Sequence, residues 1–265
     1  MEVNQRYEEE ILGSKLIDVT FDDPFFELLK DNDVLEAKQK VEDWCRSYKF
    51  SAPGFYLASR DTGRCKTSIM ACAYNVLKEA KFFPVCTNMS DIMRVAKSDP
   101  SAYRKLKEAW VLFIDDIGIE NFTGFKGDDM NAVLYEIINY RYNNNLTTCF
   151  TSNYGIKDLE KKKSVLKQTV DRIRGMTAGN WIEIQGTSVR ERVDLRAVEQ
   201  NAYEAIVHRK AAEKEAVREA VKKKMDAESE LSDAERKEFV KNFLDRVRAR
   251  NERSTESSRG SVQGD

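Results

Sequence analysis

The chain has little of several residue types, and each scarcity closes off a class of function. Among 265 residues there is a single histidine, His208, set in a charged stretch. That removes His-rich metal sites and makes a Ser-His-Asp or Cys-His centre improbable. The five cysteines (Cys45, Cys65, Cys72, Cys86, Cys149) form no C-x-x-C pair, and five is an odd number. Neither a disulfide framework nor a zinc site is indicated. No run of 18 apolar residues occurs, and the opening MEVNQRYEEEILG has no apolar segment of the signal-peptide kind. A cytoplasmic, soluble, reduced protein without a membrane partner is expected. The net charge of -1 gives no long-range attraction for nucleic acid, so any such contact needs a local basic patch.

What is abundant is charge, at 34%, beside 41% hydrophobic residues, enough for a real core with a long solvated segment attached. Four regions follow from the pattern: a short N-terminal segment (1–40), an α/β domain (41–194), a charged helical extension (195–250) and a disordered tail (251–265). Within 1–50, Asp22-Asp23-Pro24 reads as a turn, and Val34–Tyr48 has helical spacing. Strands are expected at Phe55–Leu57, Phe83–Thr87, Trp110–Ile114, Thr147–Thr151 and Trp181–Ile184. Helices are expected between them, at Thr67–Ala80, Ser90–Ala96, Asn131–Tyr142 and Leu166–Ile173. Apolar strands alternating with helices imply a parallel sheet covered on both faces. Residues 196–250 contain no Gly or Pro and carry opposite charges at helical spacing, which reads as one or two long solvated helices. A stop is expected near Ala227–Leu231, because Ser232-x-x-Glu235 is a capping-box pattern ahead of the stripe Phe239, Val240, Phe243, Leu244 and Val247.

Between the first strand and the helix after it lies Arg60-Asp61-Thr62-Gly63-Arg64-Cys65-Lys66-Thr67-Ser68. A phosphate-binding P-loop, G-x-x-x-x-G-K-[ST], belongs at this place: backbone amides wrap the phosphates, the lysine neutralises charge and the hydroxyl holds Mg²⁺. Lys66 and Thr67 are present, and Gly63 fits the internal glycine of the G-x-x-G-x-G-K-T version. The outer two glycines are replaced by Arg60 and Cys65. A side chain at a position built for glycine costs roughly 1–3 kcal/mol, about 10- to 100-fold in affinity if borne on binding. Cys65 is small enough to be tolerated there, and Arg60 is placed to add a cation near the phosphates. By itself the segment fits an accidental strand–loop–helix equally well.

Two companions stand downstream in the right order. Trp110-Val111-Leu112-Phe113-Ile114-Asp115-Asp116 is an apolar strand ending in two carboxylates, the form of a Walker B strand, although a buried strand entering an acidic turn looks the same. Thr147–Thr151 leads into Ser152-Asn153-Tyr154, where Asn153 is either a polar sensor of the γ-phosphate or an ordinary turn residue.

At this point Ile114-Asp115-Asp116-Ile117-Gly118-Ile119-Glu120, Thr151-Ser152-Asn153-Tyr154 and Val170-Asp171-Arg172-Ile173-Arg174 resemble the Walker B, sensor 1 and arginine-finger segments of the DnaC/DnaI/IstB family. Ser188-Val189-Arg190-Glu191-Arg192-Val193 resembles its sensor 2 stretch. These are AAA+ proteins of bacteria and phages that place a hexameric replicative helicase on single-stranded DNA or assist transposases. The similarity covers roughly residues 41–194. It implies an AAA+ P-loop NTPase fold with ATP and Mg²⁺ as cofactors. Arg60, Gly63, Cys65, Lys66, Thr67 and Ser68 would form the phosphate loop, with Thr67 and Asp115 on the metal. Asp116 would activate water, Asn153 would sense phosphate, and Arg190 would close the lid. Arg172 would reach the ATP of a neighbouring subunit and tie hydrolysis to self-assembly. The partners implied are a DnaB-like replicative helicase and single-stranded DNA. The altered loop leaves open a weak ATPase or a nucleotide-independent scaffold or inhibitor of a helicase, and an IstB-like transposition ATPase shares the same motifs. The family's N-terminal helicase-binding domain is expected to be short or missing, as would suit a phage or prophage module.

Candidate surfaces for DNA are Lys161-Lys162-Lys163, the pair Arg172 and Arg174, and Lys97–Lys107 around Tyr103 and Arg104. For each, a solvated basic face is the plainer reading. Phe122-Thr123-Gly124-Phe125-Lys126-Gly127 is expected to be a mobile loop that reports nucleotide state or meets a partner.

Overall fold

The computed structural model describes residues 12, 16–118, 127–162 and 165–229. The chain forms two compact units, Met1–Glu204 and Ala205–Asp265. The first holds a five-stranded sheet in the order β2-β3-β4-β1-β5, formed by β1 (Tyr56–Ala58), β2 (Val85–Asn88), β3 (Val111–Ile117), β4 (Thr147–Ser152) and β5 (Trp181–Glu183). Every neighbouring pair is parallel. The five expected strands are all present, shifted by a residue or so. Phe83 is left out of β2: it takes a positive φ of 48° and points into solvent ahead of Pro84.

Alternation along the strands builds the three layers. Leu57, Val111, Phe113, Cys149 and Ile182 face one side, packing with α1 (Pro24–Leu28), α2 (Asn32–Ser47) and α3 (Lys66–Glu79). Tyr56, Ala58, Leu112, Ile114 and Phe150 face the other. There they meet α4 (Met89–Ser98), α6 (Gly127–Asn143), α7 (Ile156–Leu159) and α8 (Lys167–Thr177), with α5 (Pro100–Glu108) adding Leu106. Period-two burial on both faces is what a covered parallel sheet requires. Residues ahead of β1 belong to this core, since Phe26, Val34 and Val41 are fully buried, and the boundary expected at residue 41 falls inside α2.

Two short helices arise where the sequence suggested other things. Asp23 caps α1, its carboxylate accepting from Phe25 N at 2.9 Å, and Pro24 occupies the first helical position; the Asp-Pro pair begins a helix rather than a turn. Asp99 and Pro100 start α5 in the same way. After β5 come α9 (Val189–Arg192) and α10 (Leu195–Ser229). Residues 205–229, the described part of the second unit, are helical, and those up to 220 are nearly all exposed. The expected capping box at Ser232, the stripe from Phe239 to Val247, the tail, residues 119–120 and the 122–126 part of the aromatic loop lie outside the described residues. Among the described residues no helix is long and apolar enough to cross a membrane.

Candidate phosphate-binding site

The carboxyl ends of β1, β3 and β4 converge on the N-terminus of α3, the crevice where open parallel sheets bind ligands. β1 ends at Ala58 and the chain crosses to α3 through residues 59–65. That crossing turns left-handed twice, at Gly63 (φ 69°) and at Cys65 (φ 57°). Glycine suits position 63 on two counts. Its φ suits glycine, and a Cβ there would stand 2.7 Å from Ser188 Oγ and 3.1 Å from the Arg190 side chain. Cys65 holds the same kind of conformation with a side chain, at the N-cap of α3 and without a side-chain capping bond.

Lys66 opens the helix and is almost fully buried. Its Nζ donates to Asn153 Oδ1 at 2.8 Å. Burial pulls the ammonium pKa below its ordinary value, opposed by Asp116 and Asp115. Thr67 Oγ1 donates to Asp115 Oδ2 at 3.0 Å, and Thr151 Oγ1 donates to Asp115 Oδ1. The two carboxylates sit at a break in the β3–β4 register between Ile114 and Ile117, where Asp116 takes a positive φ of 54°. The bulge sends consecutive side chains to the site instead of to opposite faces. Burial, and then the neighbouring Asp116, push the Asp115 carboxyl up to about 6.

Thr62 to Ser68, Asp116, Asn153 and Arg190 enclose a cavity of about 230 Å³. Its floor is the N-terminus of a 14-residue helix, where unpaired amides and the helix dipole favour an anion. Beside it a hydroxyl and a buried carboxylate stand in contact, with a second carboxylate next in sequence, which is hard-oxygen chemistry suited to Mg²⁺. The residues present therefore suit a phosphate group and a divalent cation together.

The fold thus brings Gly63, Cys65, Lys66, Thr67, Ser68, Asp115, Asp116, Asn153 and Arg190 to one place. Arg60 lies elsewhere, and Arg172, expected to serve a neighbouring subunit, stands apart from the cavity. Arg60 points away from the cavity: its guanidinium is exposed and pairs with Asp158 on α7 at 3.1 Å. Arg172 lies on α8, donating from Nε to Asn139 Oδ1 at 2.7 Å, with its guanidinium 5.0 Å from the Tyr135 ring centre and 5.9 Å from that of Tyr142. The basic stretches are largely engaged within the chain. Lys161 pairs with Asp158, Lys162 sits 3.9 Å over the Tyr154 ring, Lys107 pairs with Glu136 and Arg174 with Glu160.

The sequence reading missed Arg64 and Asp31. Arg64 occupies a variable position of the loop motif, yet it is 1% exposed and forms a two-pronged pair with Asp31, at 2.5 and 3.0 Å. Burial raises the Asp31 carboxyl, but hydrogen bonds from Arg64 and Arg192 outweigh it and hold the carboxyl at about 2. Asp31 also caps α2 through Val34 N at 3.1 Å. An Asp one residue before a helix was the only available signal, and it names the cap without naming the arginine.

No family model matches the sequence, and no curated protein matches it. Solved structures do. DnaI is 25% identical with a TM-score of 0.51 over 68% of this chain and 93% of its own. The DnaC helicase loader is 20% identical with a TM-score of 0.54, over 65% of this chain and 99% of that one. A primosome component from Streptococcus pyogenes serotype M3 is 26% identical over 58% of this chain and 80% of that one, with a TM-score of 0.48, too low to bear on the argument. By its strand order and these likenesses, the chain has the parallel α/β P-loop fold of AAA+ proteins and resembles DnaI and the DnaC helicase loader.

Proposed function

We propose that this chain is a DNA-replication protein that binds ATP with Mg²⁺ and assists the loading of a DnaB-like replicative helicase onto single-stranded DNA. The observation that carries the reading is the convergence of Lys66, Thr67, Asp115, Asp116, Asn153 and Arg190 around one helix N-terminus. The helicase-loader part rests on the DnaC and DnaI likenesses. The first unit, with the residues ahead of β1 in its core, is read as the nucleotide-binding body, and the charged helical residues after it as an extension. Lys66 and the loop amides would hold the phosphates, and Thr67 and Asp115 the Mg²⁺. The cation supplies charge neutralisation at the phosphates. Asp116 would accept a proton from the attacking water, and Asn153, now bonded to Lys66, would turn to the γ-phosphate. Arg172 would serve a neighbouring copy, which requires that it leave Asn139 and the two tyrosines.

The test is co-sedimentation with a DnaB-like replicative helicase on circular single-stranded DNA. Helicase retained on the DNA only with ATP and Mg²⁺, and lost with Lys66→Ala, is the expected result. Equal retention without nucleotide and by Lys66→Ala would instead make the chain a scaffold. Stimulation of a transposase in place of the helicase would make it an IstB-like protein.

A further inference from the structure

In an ordinary phosphate loop, glycines let the backbone take left-handed turns without strain. Here the second of those turns falls on Cys65, at φ 57°. A residue with a side chain holds such a conformation only where its surroundings over-determine it. The residue between the two left-handed positions, Arg64, supplies those surroundings. Its backbone lines the phosphate cavity while its side chain runs the opposite way into the protein.

There the guanidinium is gripped by two separate stretches of chain. Asp31 at the N-terminus of α2 takes the two-pronged pair. The carbonyl of Thr187 accepts at 3.0 Å, and that of Gln185 also accepts. Both carbonyls belong to the segment leading into α9, which carries Arg190. Arg192, itself exposed, donates to the same buried Asp31 carboxylate from the outside, closing an Arg–Asp–Arg triad. Gly186 makes room: its φ is 91°, and a Cβ there would stand 3.3 Å from Arg64 Nη2. A further backbone bond, Val189 N to Gly63 O at 3.1 Å, ties the loop to the same segment.

We propose that Arg64 is the positioning residue that holds the phosphate loop in its binding shape in place of the missing glycine at Cys65, by anchoring it through Asp31 to α2 and through residues 185–187 to the segment bearing Arg190. The proposal rests on the nucleotide-binding reading for its purpose, though not for its geometry. A loop ordered beforehand loses less freedom on binding, which offsets the altered motif. The loop and the segment carrying the sensor arginine also become one mechanical unit, so displacing either moves the other.

The experiment uses the full chain with Arg64→Met, Cys65→Gly, the double variant and Arg192→Gln. Hydrogen exchange of the amides of residues 61–68 is measured without nucleotide, and Mg·ATP affinity by titration. Arg64→Met is expected to speed exchange of the loop by roughly tenfold or more while β3 and β4 keep their protection. It is expected to weaken Mg·ATP roughly tenfold, and Cys65→Gly in the same chain to recover most of that loss, since glycine needs no anchor. Arg192→Gln is expected to act in the same direction and less, and it carries the test if Arg64→Met does not fold. Unchanged loop exchange in these variants overturns the proposal, as does an affinity loss that Cys65→Gly leaves in full. If the unaltered protein binds no nucleotide, the functional reading fails and loop exchange alone decides the anchor.

Discussion

The two sides of the phosphate loop satisfy their charges in opposite ways. Behind the loop, Asp31 lies between Arg64 and Arg192, and its carboxyl is held at about 2. In front, Asp115 has hydroxyl partners and a second carboxylate for a neighbour, and its carboxyl is pushed up to about 6. Both carboxylates have little exposed surface, but at Asp115 burial is the dominant influence, whereas at Asp31 two arginines outweigh it. The rear carboxylate has its cations within hydrogen-bond reach, while the front carboxylates stand beside Lys66 at an open cleft. A completed charge set is structural, and one left incomplete in a cleft is the mark of a site.

The largest expected effect breaks the rear set. Arg64→Met leaves Asp31 short of its main partner and should cost roughly 3–5 kcal/mol in urea unfolding. Lys66→Met, one turn of the loop away, should change stability by less than about 1 kcal/mol, because burial already disfavours that ammonium. Similar losses in both variants would erase the contrast.

The pH dependence should split likewise. Asp31 has a native carboxyl pKa below its unfolded value, so its contribution is present above about 4 and is lost as pH falls toward about 2. Asp115 has a raised one, so its contribution is present below about 4 and is lost as pH rises through about 6. Asp115→Asn should therefore flatten the stability profile between about pH 4 and 6 and stabilise the protein at pH 8 by on the order of 1–3 kcal/mol. Mg²⁺-dependent nucleotide affinity should run the other way, falling by up to roughly tenfold per pH unit below about 6, as protons compete for Asp115. The smallest effect sharpens the comparison at the loop itself: Cys65→Gly should change stability by no more than about 1 kcal/mol, relief of the left-handed strain being offset by the freer unfolded chain.

These contrasts also mark how far the sequence can be read. The strands were legible because parallel strands buried on both faces appear as short apolar runs, and Trp110–Ile114 running into Asp115-Asp116 located one wall of the site. Lys66, Thr67 and Asn153 were placed by a local motif, whose spacing fixes where each backbone lies. Motif position does not fix where a side chain points. Arg60 sits at a motif position yet turns to Asp158, and Arg64 sits at a variable position yet is the buried anchor. The Arg64–Asp31 pair spans 33 residues and the Arg192–Asp31 pair 161, and ion pairs over such separations leave no periodicity to detect. The helices α1 and α5 were signalled by Asp-Pro pairs, but one was read as a turn and the other passed over in a stretch weighed only for its basic charge.

The most direct test is equilibrium binding of Mg·ATP by fluorescence titration, with Lys66→Ala beside the unaltered protein. Saturable binding in the micromolar range, lost with Lys66→Ala while the fold is kept, is the predicted result. Absence of binding up to millimolar nucleotide would contradict the nucleotide-binding reading and leave a scaffold built on an AAA+ fold.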